Sequence, residues 1–309
     1  MKKFLTKVLL YIGILLAIIL PVSAYFFLKL PRQALLVSNS VSYNLKAGFI
    51  QQHPEKLRDA GLVIVGSSMS LNNLDACLLR DSFHIPTVNL GSWGLAISNY
   101  ETSPIWDQPK IFLTNLGVPD FLPTTVVTKD NFSFNTSRLR EFFNFVTDFR
   151  TFLSLLPQVK ETMDIPDNRS YISCNFDDCG SVLFSDSGFN VTATRWEDDA
   201  YALFKMNAGN IANYIVDLKT LVRSHDEHAR LMISFSPVRR KFYNRSRSEM
   251  VAKLGMLIRT NCPNVIFFNL YDRDYPDSQF ADNCHFNSAG AKRYTRELVD
   301  SIRAYQLIK

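Results

Sequence analysis

The sequence predicts an α/β fold: a three-layer α/β/α sandwich with a mostly parallel five-stranded sheet, preceded by one N-terminal transmembrane helix. Three observations predict it. Short apolar runs alternate with helix-like segments, turn residues bound each run, and one long apolar stretch stands near the N-terminus. Runs that are apolar throughout are typical of strands buried on both faces, and strands that alternate with helices form parallel sheets.

The N-terminal stretch is long enough to cross a membrane. Val8 to Phe27 carries no charge, and about 20 residues at 1.5 Å each span a hydrocarbon core of roughly 30 Å. The lysines before it favour a cytoplasmic N-terminus and an exported remainder. Val22-Ser23-Ala24 resembles a signal-peptidase site, so a cleaved signal peptide is the alternative. The length of the stretch favours a retained anchor, and both interpretations export residues 33–309.

The first half of the sheet follows from turn residues. Leu62–Val65 lies between Gly61 and Gly66, as a buried strand would. A helix is predicted next, followed by two further strands. The first of these ends at an Asn-Leu-Gly turn, and the second ends before a glycine. These elements are the helix Leu71–Asp81 and the strands Pro86–Leu90 and Lys110–Leu116.

The second half continues the alternation. In Ala208–Arg223 apolar residues recur at steps of three and four, which predicts an amphipathic helix. Pro237 ends the strand that follows. The remaining predicted elements are the strands Arg230–Phe235 and Val265–Leu270 and the helices Met250–Thr260 and Ser288–Tyr305, the last with Ser288 as a candidate N-cap.

The domain prediction divides the chain into a membrane segment (1–32), a juxtamembrane stretch (33–58) and an α/β domain (59–309). An insertion at about 120–205 interrupts the alternation with phenylalanine-rich segments. Helix packing onto the sheet is the favoured interpretation of these phenylalanines, and an acyl-chain or glycan surface is the alternative. They are Phe132, Phe134, Phe142, Phe143, Phe145, Phe149 and Phe152.

The charge argues against a nucleic-acid binder. The net charge is +5, but the first 32 residues hold five basic residues and no acid. The remainder therefore balances 29 basic against 29 acidic residues. A nucleic-acid-binding domain concentrates positive charge on its folded part.

The five cysteines suit an oxidising compartment. Cys174 and Cys179 flank a polar, turn-like segment and are one candidate disulfide. Cys262 and Cys284 are a second, which leaves Cys77 as a buried thiol. Sequence alone does not determine the pairing, and no spacing of cysteine or histidine indicates a zinc site.

Two separated motifs carry the chemistry. Gly66-Ser67-Ser68 follows a predicted strand, where parallel sheets bind ligands and where a turn into a helix places a serine beside unpaired backbone N–H groups. Near the C-terminus, Asp282 and His285 stand three positions apart, so the Asp can orient the imidazole while the other ring nitrogen takes a proton from a serine. Helix capping by the serines and an incidental surface histidine are the plainer interpretations.

The order of these motifs, with Asn89-Leu90-Gly91-Ser92-Trp93-Gly94 between them, resembles the SGNH (GDSL-type) hydrolase superfamily over about residues 60–118 and 208–306. The resemblance implies Ser68 as nucleophile, His285 as base and Asp282 as its orienting acid. It implies an oxyanion hole from the amides of Ser68 and Gly94, with Gly91 as second choice. A shift of one position would make Ser67 the nucleophile.

The family's third block, Gly-x-Asn-Asp, is altered here. Pro119 stands where its oxyanion-hole Asn would fall, and Asn115 is the candidate substitute. The segment His285-Phe286-Asn287, with Gly290 three positions on, resembles the extracytoplasmic branch that includes DltD and the alginate O-acetylation proteins.

This resemblance implies a membrane-anchored serine acyl-esterase or O-acyltransferase acting on a cell-envelope polysaccharide, without metal or cofactor. Its location would be the bacterial inner membrane, single pass, with the C-terminal domain periplasmic or extracellular. A multispanning membrane acyltransferase would be its partner. The alternatives are a secreted lipase or esterase on small or lipid esters, and a catalytically inactive glycan-binding or scaffolding module.

Overall fold

The computed structural model confirms an α/β architecture with a five-stranded, wholly parallel sheet and helices on both of its faces. It describes residues 2–29, 41–100, 104–107, 110–121, 146, 176–184, 206–225 and 230–308. The phenylalanine-rich stretch predicted as an insertion and Cys174 lie outside these residues, and the predicted domain boundaries stay predictions.

The strands are close to those that the apolar runs predict. Their order in the sheet is β2-β1-β3-β4-β5. This order changes direction between β1 and β3, and ligands bind at the carboxyl edge beside such a change. The strands are β1 (Leu62–Val65), β2 (Thr87–Asn89), β3 (Ile111–Leu116), β4 (Arg230–Phe235) and β5 (Ile266–Asn269).

Eight α-helices lie within the described residues, two of them in the juxtamembrane stretch. They are α1 (Lys2–Lys29), α2 (Val41–Gln52), α3 (Pro54–Arg58), α4 (Ser68–Asn73), α5 (Ala76–Phe83), α6 (Ala208–His225), α7 (Arg245–Asn261) and α8 (Ser288–Ala304).

The single helix predicted over 71–81 is wrong, because α4 and α5 are separate helices. Leu74 is extended, and Asp75 starts α5 by accepting a hydrogen bond from the Leu78 N–H at 2.8 Å. Helix α8 also begins differently from the prediction. Its N-cap is Asn287, whose side chain accepts from the Gly290 N–H at 3.0 Å, and Ser288 is the first helical residue.

Side chains that alternate along β1 supply two apolar layers. Val63 and Val65 pack on the side that holds α6 and α7, whereas Leu62 and Ile64 pack on the side that holds α5 and α8. All four are fully buried, as expected for a strand in the middle of a parallel sheet. The sheet is thereby fixed on both faces, and its carboxyl edge becomes a rigid platform.

Helix α1 is the one described helix long and apolar enough to span a membrane. Its span, Lys2–Tyr25, is 24 residues long and almost entirely exposed. An anchor and a signal sequence both fit this length and composition.

The predicted Cys262–Cys284 disulfide is absent, and both residues are free thiols. Cys262 follows the end of α7, next to the start of β5 at the amino edge of the sheet. Cys284 lies beside His285 at the carboxyl edge. A disulfide requires Cα atoms within about 7 Å, a distance shorter than the strand that separates these positions.

A buried lysine joins α2 to the carboxyl end of β2. The Lys46 ammonium donates to the Asn89 carbonyl at 2.8 Å and to the Gly180 carbonyl, and it lies 4.0 Å from the centre of the Phe176 ring. Burial lowers the Lys46 pKa to about 7, and the charge of Asp177 opposes this shift.

This shift predicts a pH dependence of stability. The unfolded chain binds the Lys46 proton up to its ordinary pKa of about 10.4, and the folded chain releases it near pH 7. The free energy of unfolding should therefore rise between pH 7 and about pH 10, by at most about 1.4 kcal/mol per pH unit. Urea titrations of the wild type and Lys46→Met will test this, since the rise should be steeper in the wild type. Parallel pH profiles of the two proteins would contradict the assignment of this pH dependence to Lys46.

Candidate active site

The turn after β1 places Ser67 and Ser68 at the carboxyl edge of the sheet. Gly66 has φ +120°, and a Cβ there would lie 2.6 Å from Thr114 Oγ1. Glycine therefore permits the sharp turn into α4. Ser67 caps this helix by accepting from the Met69 N–H at 3.1 Å, and Ser68 is its first residue.

Ser68, His285 and Asp282 form a continuous hydrogen-bonded chain. Ser68 Oγ lies 2.9 Å from His285 Nε2, and His285 Nδ1 lies 2.6 Å from Asp282 Oδ2. All three residues are buried, and Asp282 is wholly inaccessible. The arrangement matches the predicted pairing and provides the geometry of a nucleophile, a base and an orienting acid.

The Asp282 carboxylate is fixed by several donors. Its Oδ1 accepts from the N–H groups of Cys284 at 2.8 Å and His285 at 2.7 Å. Burial opposes ionisation, but the His285 charge and these hydrogen bonds together lower the pKa of Asp282. An ionised Asp282 accepts the Nδ1 proton, which leaves Nε2 as the acceptor that faces Ser68.

Asn73, which the sequence analysis did not select, clamps the loop that carries His285. Its Nδ2 donates to the Cys284 carbonyl at 3.1 Å, and its Oδ1 accepts from the Phe286 N–H at 2.9 Å. The side chain thus bonds both neighbours of His285 from the last turn of α4, the helix that begins at Ser68. The sequence signal was a pair of asparagines, Asn72-Asn73, inside a segment predicted as helix.

Replacing Asn73 by alanine is expected to lower kcat for ester hydrolysis about 10–100-fold with little change in KM. The Cys284 carbonyl and the Phe286 N–H lose their hydrogen-bond partner, which costs about 2–4 kcal/mol of stability. The His285 imidazole is then no longer held in position against Ser68. Steady-state kinetics and urea unfolding of the same samples measure both effects.

Asn72→Ala is the matched control. Asn72 is equally buried but donates to the Val182 carbonyl at 2.8 Å and not to the backbone groups on either side of His285. It should lose stability and keep a kcat near that of the wild type. Equal kcat losses in Asn73→Ala and Asn72→Ala would show that the Asn73 contacts contribute to stability but do not position His285.

Two aromatic rings enclose the imidazole. The Trp93 ring centre lies 4.9 Å from that of His285, and the Phe184 ring meets it edge-on at 6.2 Å. These walls limit the approach of water to the base. Water exclusion strengthens the electrostatic interactions inside such a site.

The predicted oxyanion donors differ in how their N–H groups are used. Met69, Ser70 and Leu71 already donate to Ser67, through its Oγ or its carbonyl. The Ser68 N–H has no acceptor within the helix. Gly94 lies next to Trp93 with φ +75°, and its role stays a prediction.

Gly91 and Asn115 are occupied elsewhere, which corrects two of the predicted assignments. The Gly91 N–H donates to Asn89 Oδ1 at 2.8 Å. The Asn115 amide donates to the Met69 carbonyl at 2.9 Å, and its oxygen accepts from Ser234 and Tyr294. Asn115 lies in β3 and is completely buried. It therefore supports the backbone of α4 and supplies no side-chain donor to the oxyanion.

Asp120 separates the roles of the two serines. Its carboxylate hydrogen-bonds the Ser67 side chain and accepts from the Gly117 N–H at 2.7 Å. Burial raises the Asp120 pKa to about 6, and these hydrogen bonds and the His285 charge oppose the rise. Ser67 is thereby engaged by Asp120 and Met69, whereas Ser68 faces the base. The geometry favours Ser68 over Ser67 as nucleophile.

Side chains that could hold a metal ion form two groups within the described residues. Asp282, Cys284 and His285 form one, and Asp75, Cys77 and Asp177 form the other, each with its ligand atoms within 4.8 Å of one another. In the first group Asp282 Oδ2 and His285 Nδ1 share a hydrogen bond of 2.6 Å.

Comparisons with known proteins identify no family for this chain, so its functional interpretation depends on the geometry of the site. No protein-family model matches the chain, and no curated protein matches it. Among solved structures it is similar to an acetyl xylan esterase from the rumen bacterium Butyrivibrio proteoclasticus, at 11% identity and a TM-score of 0.37. The similarity covers 80% of this chain but only 64% of that one, less than two thirds. A likeness of this size specifies no activity.

Proposed function

We propose that this protein is a serine esterase or O-acyltransferase that works through an acyl-serine intermediate. The hydrogen-bonded chain Ser68–His285–Asp282 carries the proposal. Its distances of 2.9 and 2.6 Å suit proton transfer without rearrangement. The sequence separation between Ser68 and His285 argues against a local coincidence, because the two reach each other only through the fold.

The mechanism has two halves. Ser68 Oγ attacks the ester carbonyl as His285 Nε2 takes its proton, and the Ser68 and Gly94 amides receive the oxyanion. Collapse breaks the ester bond, and the imidazolium gives its proton to the departing alkoxide. Water or a sugar hydroxyl then loses a proton to Nε2 and attacks the acyl-serine, and the released Ser68 oxygen regains that proton. Asp282 stabilises the imidazolium in both halves.

The finer proposal is a membrane-anchored enzyme that acts on a cell-envelope polysaccharide on the outer side of the bacterial inner membrane. The apolar helix α1 supports it, since its span is suited to an anchor. The motif order, which resembles the extracytoplasmic SGNH branch, is the second support. In this scheme a multispanning membrane acyltransferase supplies the acyl group.

One observation favours a different class, an inactive glycan-binding or scaffolding module. The side-chain oxyanion donor of the third block is missing, because Pro119 takes its place and the Asn115 amide is engaged by Met69. Losing one oxyanion donor typically costs about 2.7–4 kcal/mol of transition-state stabilisation. Such a loss slows an enzyme that retains Ser68, His285 and Asp282 but does not abolish its activity.

The test uses the full chain in detergent micelles with three acyl donors: 4-nitrophenyl acetate, 4-nitrophenyl octanoate and an acetylated xylan or alginate. Release of acetate from the polysaccharide, or acetyl transfer to added oligosaccharide detected by mass, supports the polysaccharide assignment. Turnover of the octanoate alone would identify a lipase-like esterase instead. If no donor is turned over and the protein binds the glycan, the protein is an inactive glycan-binding or scaffolding module.

A further inference from the structure

A short segment braces the two halves of the candidate site. Residues 176–184 lie across α4, α5 and the start of α8. The Val182 N–H donates to the Leu71 carbonyl at 3.2 Å, and the Ser288 N–H donates to the Phe184 carbonyl at 2.7 Å. The segment therefore connects the helix of Ser68 with the loop of His285, and Phe184 itself contacts the imidazole.

Two thiols meet where this segment crosses α5. Cys77, half-buried in the first turn of α5, and the buried Cys179 hydrogen-bond to each other through their side chains. Both belong to the same apolar cluster and both are free thiols. The backbone around Cys179 is tightly held, because its carbonyl accepts from the Asn89 N–H at 2.7 Å and its N–H donates to Asp177 Oδ1 at 2.9 Å.

The two thiols have different chemical characters. The Cys179 S–H donates to Cys77 and lowers the Cys77 pKa against the effects of burial and Asp177, and Arg80 contributes in the same direction. The same hydrogen bond, together with burial, raises the Cys179 pKa. Cys77 is also the more accessible of the two, so it is the thiol that meets an oxidant first, and the buried Cys179 is the thiol that resolves.

We propose that Cys77 and Cys179 are an oxidation site and close a disulfide that fastens the 176–184 segment to α5. The Cys77 thiolate attacks a sulfur of a disulfide oxidant and releases one thiolate. Cys179 then attacks the mixed disulfide and releases the second. Two protein S–H bonds become one S–S bond, and the two electrons reduce the oxidant to two thiols.

This pairing replaces the Cys174–Cys179 bridge expected from sequence. Contact with a partner thiol is the first requirement for a disulfide, and Cys77 meets it. Ordinary sequence reasoning favours Cys174 because it is near Cys179 in the chain. The fold instead brings Cys77 to Cys179 from about 100 positions away, and closing a loop of that length constrains the unfolded chain strongly.

The test uses full-length protein in detergent with EDTA, equilibrated with oxidised or reduced glutathione, denatured and alkylated with N-ethylmaleimide. Intact mass should show two fewer adducts on the oxidised wild type than on the reduced wild type. Non-reducing peptide mapping should join Cys77 to Cys179. The unfolding midpoint should rise by about 5–10 °C on oxidation.

Cys174→Ser is the control that separates the two pairings. It should retain the loss of two adducts and the rise in midpoint, whereas Cys77→Ser should lack both. Equal adduct numbers in the oxidised and reduced wild type would overturn the proposal. So would a mapped Cys174–Cys179 peptide, a measurement on the wild type that does not depend on the folding of any variant.

Discussion

Replacing Ser68 by alanine is expected to reduce kcat/KM for ester hydrolysis by about 10³–10⁶-fold. The substitution removes the atom that forms the acyl intermediate, and the residual rate comes from substrate binding and the oxyanion donors alone. Ser68 Oγ hydrogen-bonds His285, whereas the N–H groups of the residues that follow it in α4 donate to Ser67, so the variant should fold. Hydrolysis of 4-nitrophenyl acetate and a urea unfolding curve measure both properties.

Ser67→Ala is the matched control. It removes the cap on the Met69 N–H and the hydrogen bond to Asp120, which costs about 1 kcal/mol of stability. Its kcat/KM should remain within about tenfold of the wild-type value, because Ser68 and His285 are untouched. A larger loss of activity in Ser67→Ala than in Ser68→Ala would identify Ser67 as the nucleophile.

Asp282→Asn has the second-largest expected effect, a fall of about 10⁴-fold in kcat near pH 7. The asparagine amide would donate to His285 Nδ1, so the ring proton would move to Nε2 and face Ser68. The imidazole could then no longer accept the serine proton. The Asn oxygen can still accept from the N–H groups of Cys284 and His285, which keeps the loop in place.

Ionisation of Asp282 beside His285 makes the stability of the fold depend on pH. Because the folded pKa of Asp282 lies below its ordinary value, the carboxylate stabilises the fold above about pH 4, and this stabilisation disappears as the pH falls through the lowered pKa. Asp282→Asn should therefore flatten the acid limb of the unfolding curve. Wild-type kcat in Asp282→Asn, or an unchanged acid limb, would exclude the assigned role.

The strands and the candidate reacting residues could be predicted because their signals are local. Leu62–Val65 and Arg230–Phe235 are apolar runs bounded by turn residues or charge, and the structure gives both the same bounds. Asp282 and His285 are three positions apart, so their pairing needs only one loop. The place after a strand selected Ser67 and Ser68 together, and the resemblance to the SGNH superfamily pointed to Ser68, which the fold then brings to His285.

The supporting residues could not be predicted because their partners are distant in the chain. Asn73 contacts backbone groups more than 200 positions away, and Lys46 reaches the Gly180 carbonyl across 134 positions. The break between α4 and α5 depends on tertiary contacts as well. The Asp75 N–H donates to Thr295 of α8 at 3.0 Å, and the Ala76 N–H donates to Ser181 at 3.1 Å. No local pattern marks such contacts.

The intact mass of full-length protein treated with a fluorophosphonate shows whether Ser68 is an activated nucleophile. This measurement needs no knowledge of the natural substrate. We expect a single adduct on the wild type that maps to Ser68 and is absent from Ser68→Ala and His285→Ala, both folded by circular dichroism. An unlabelled wild-type protein, or an adduct that persists in Ser68→Ala, would contradict it.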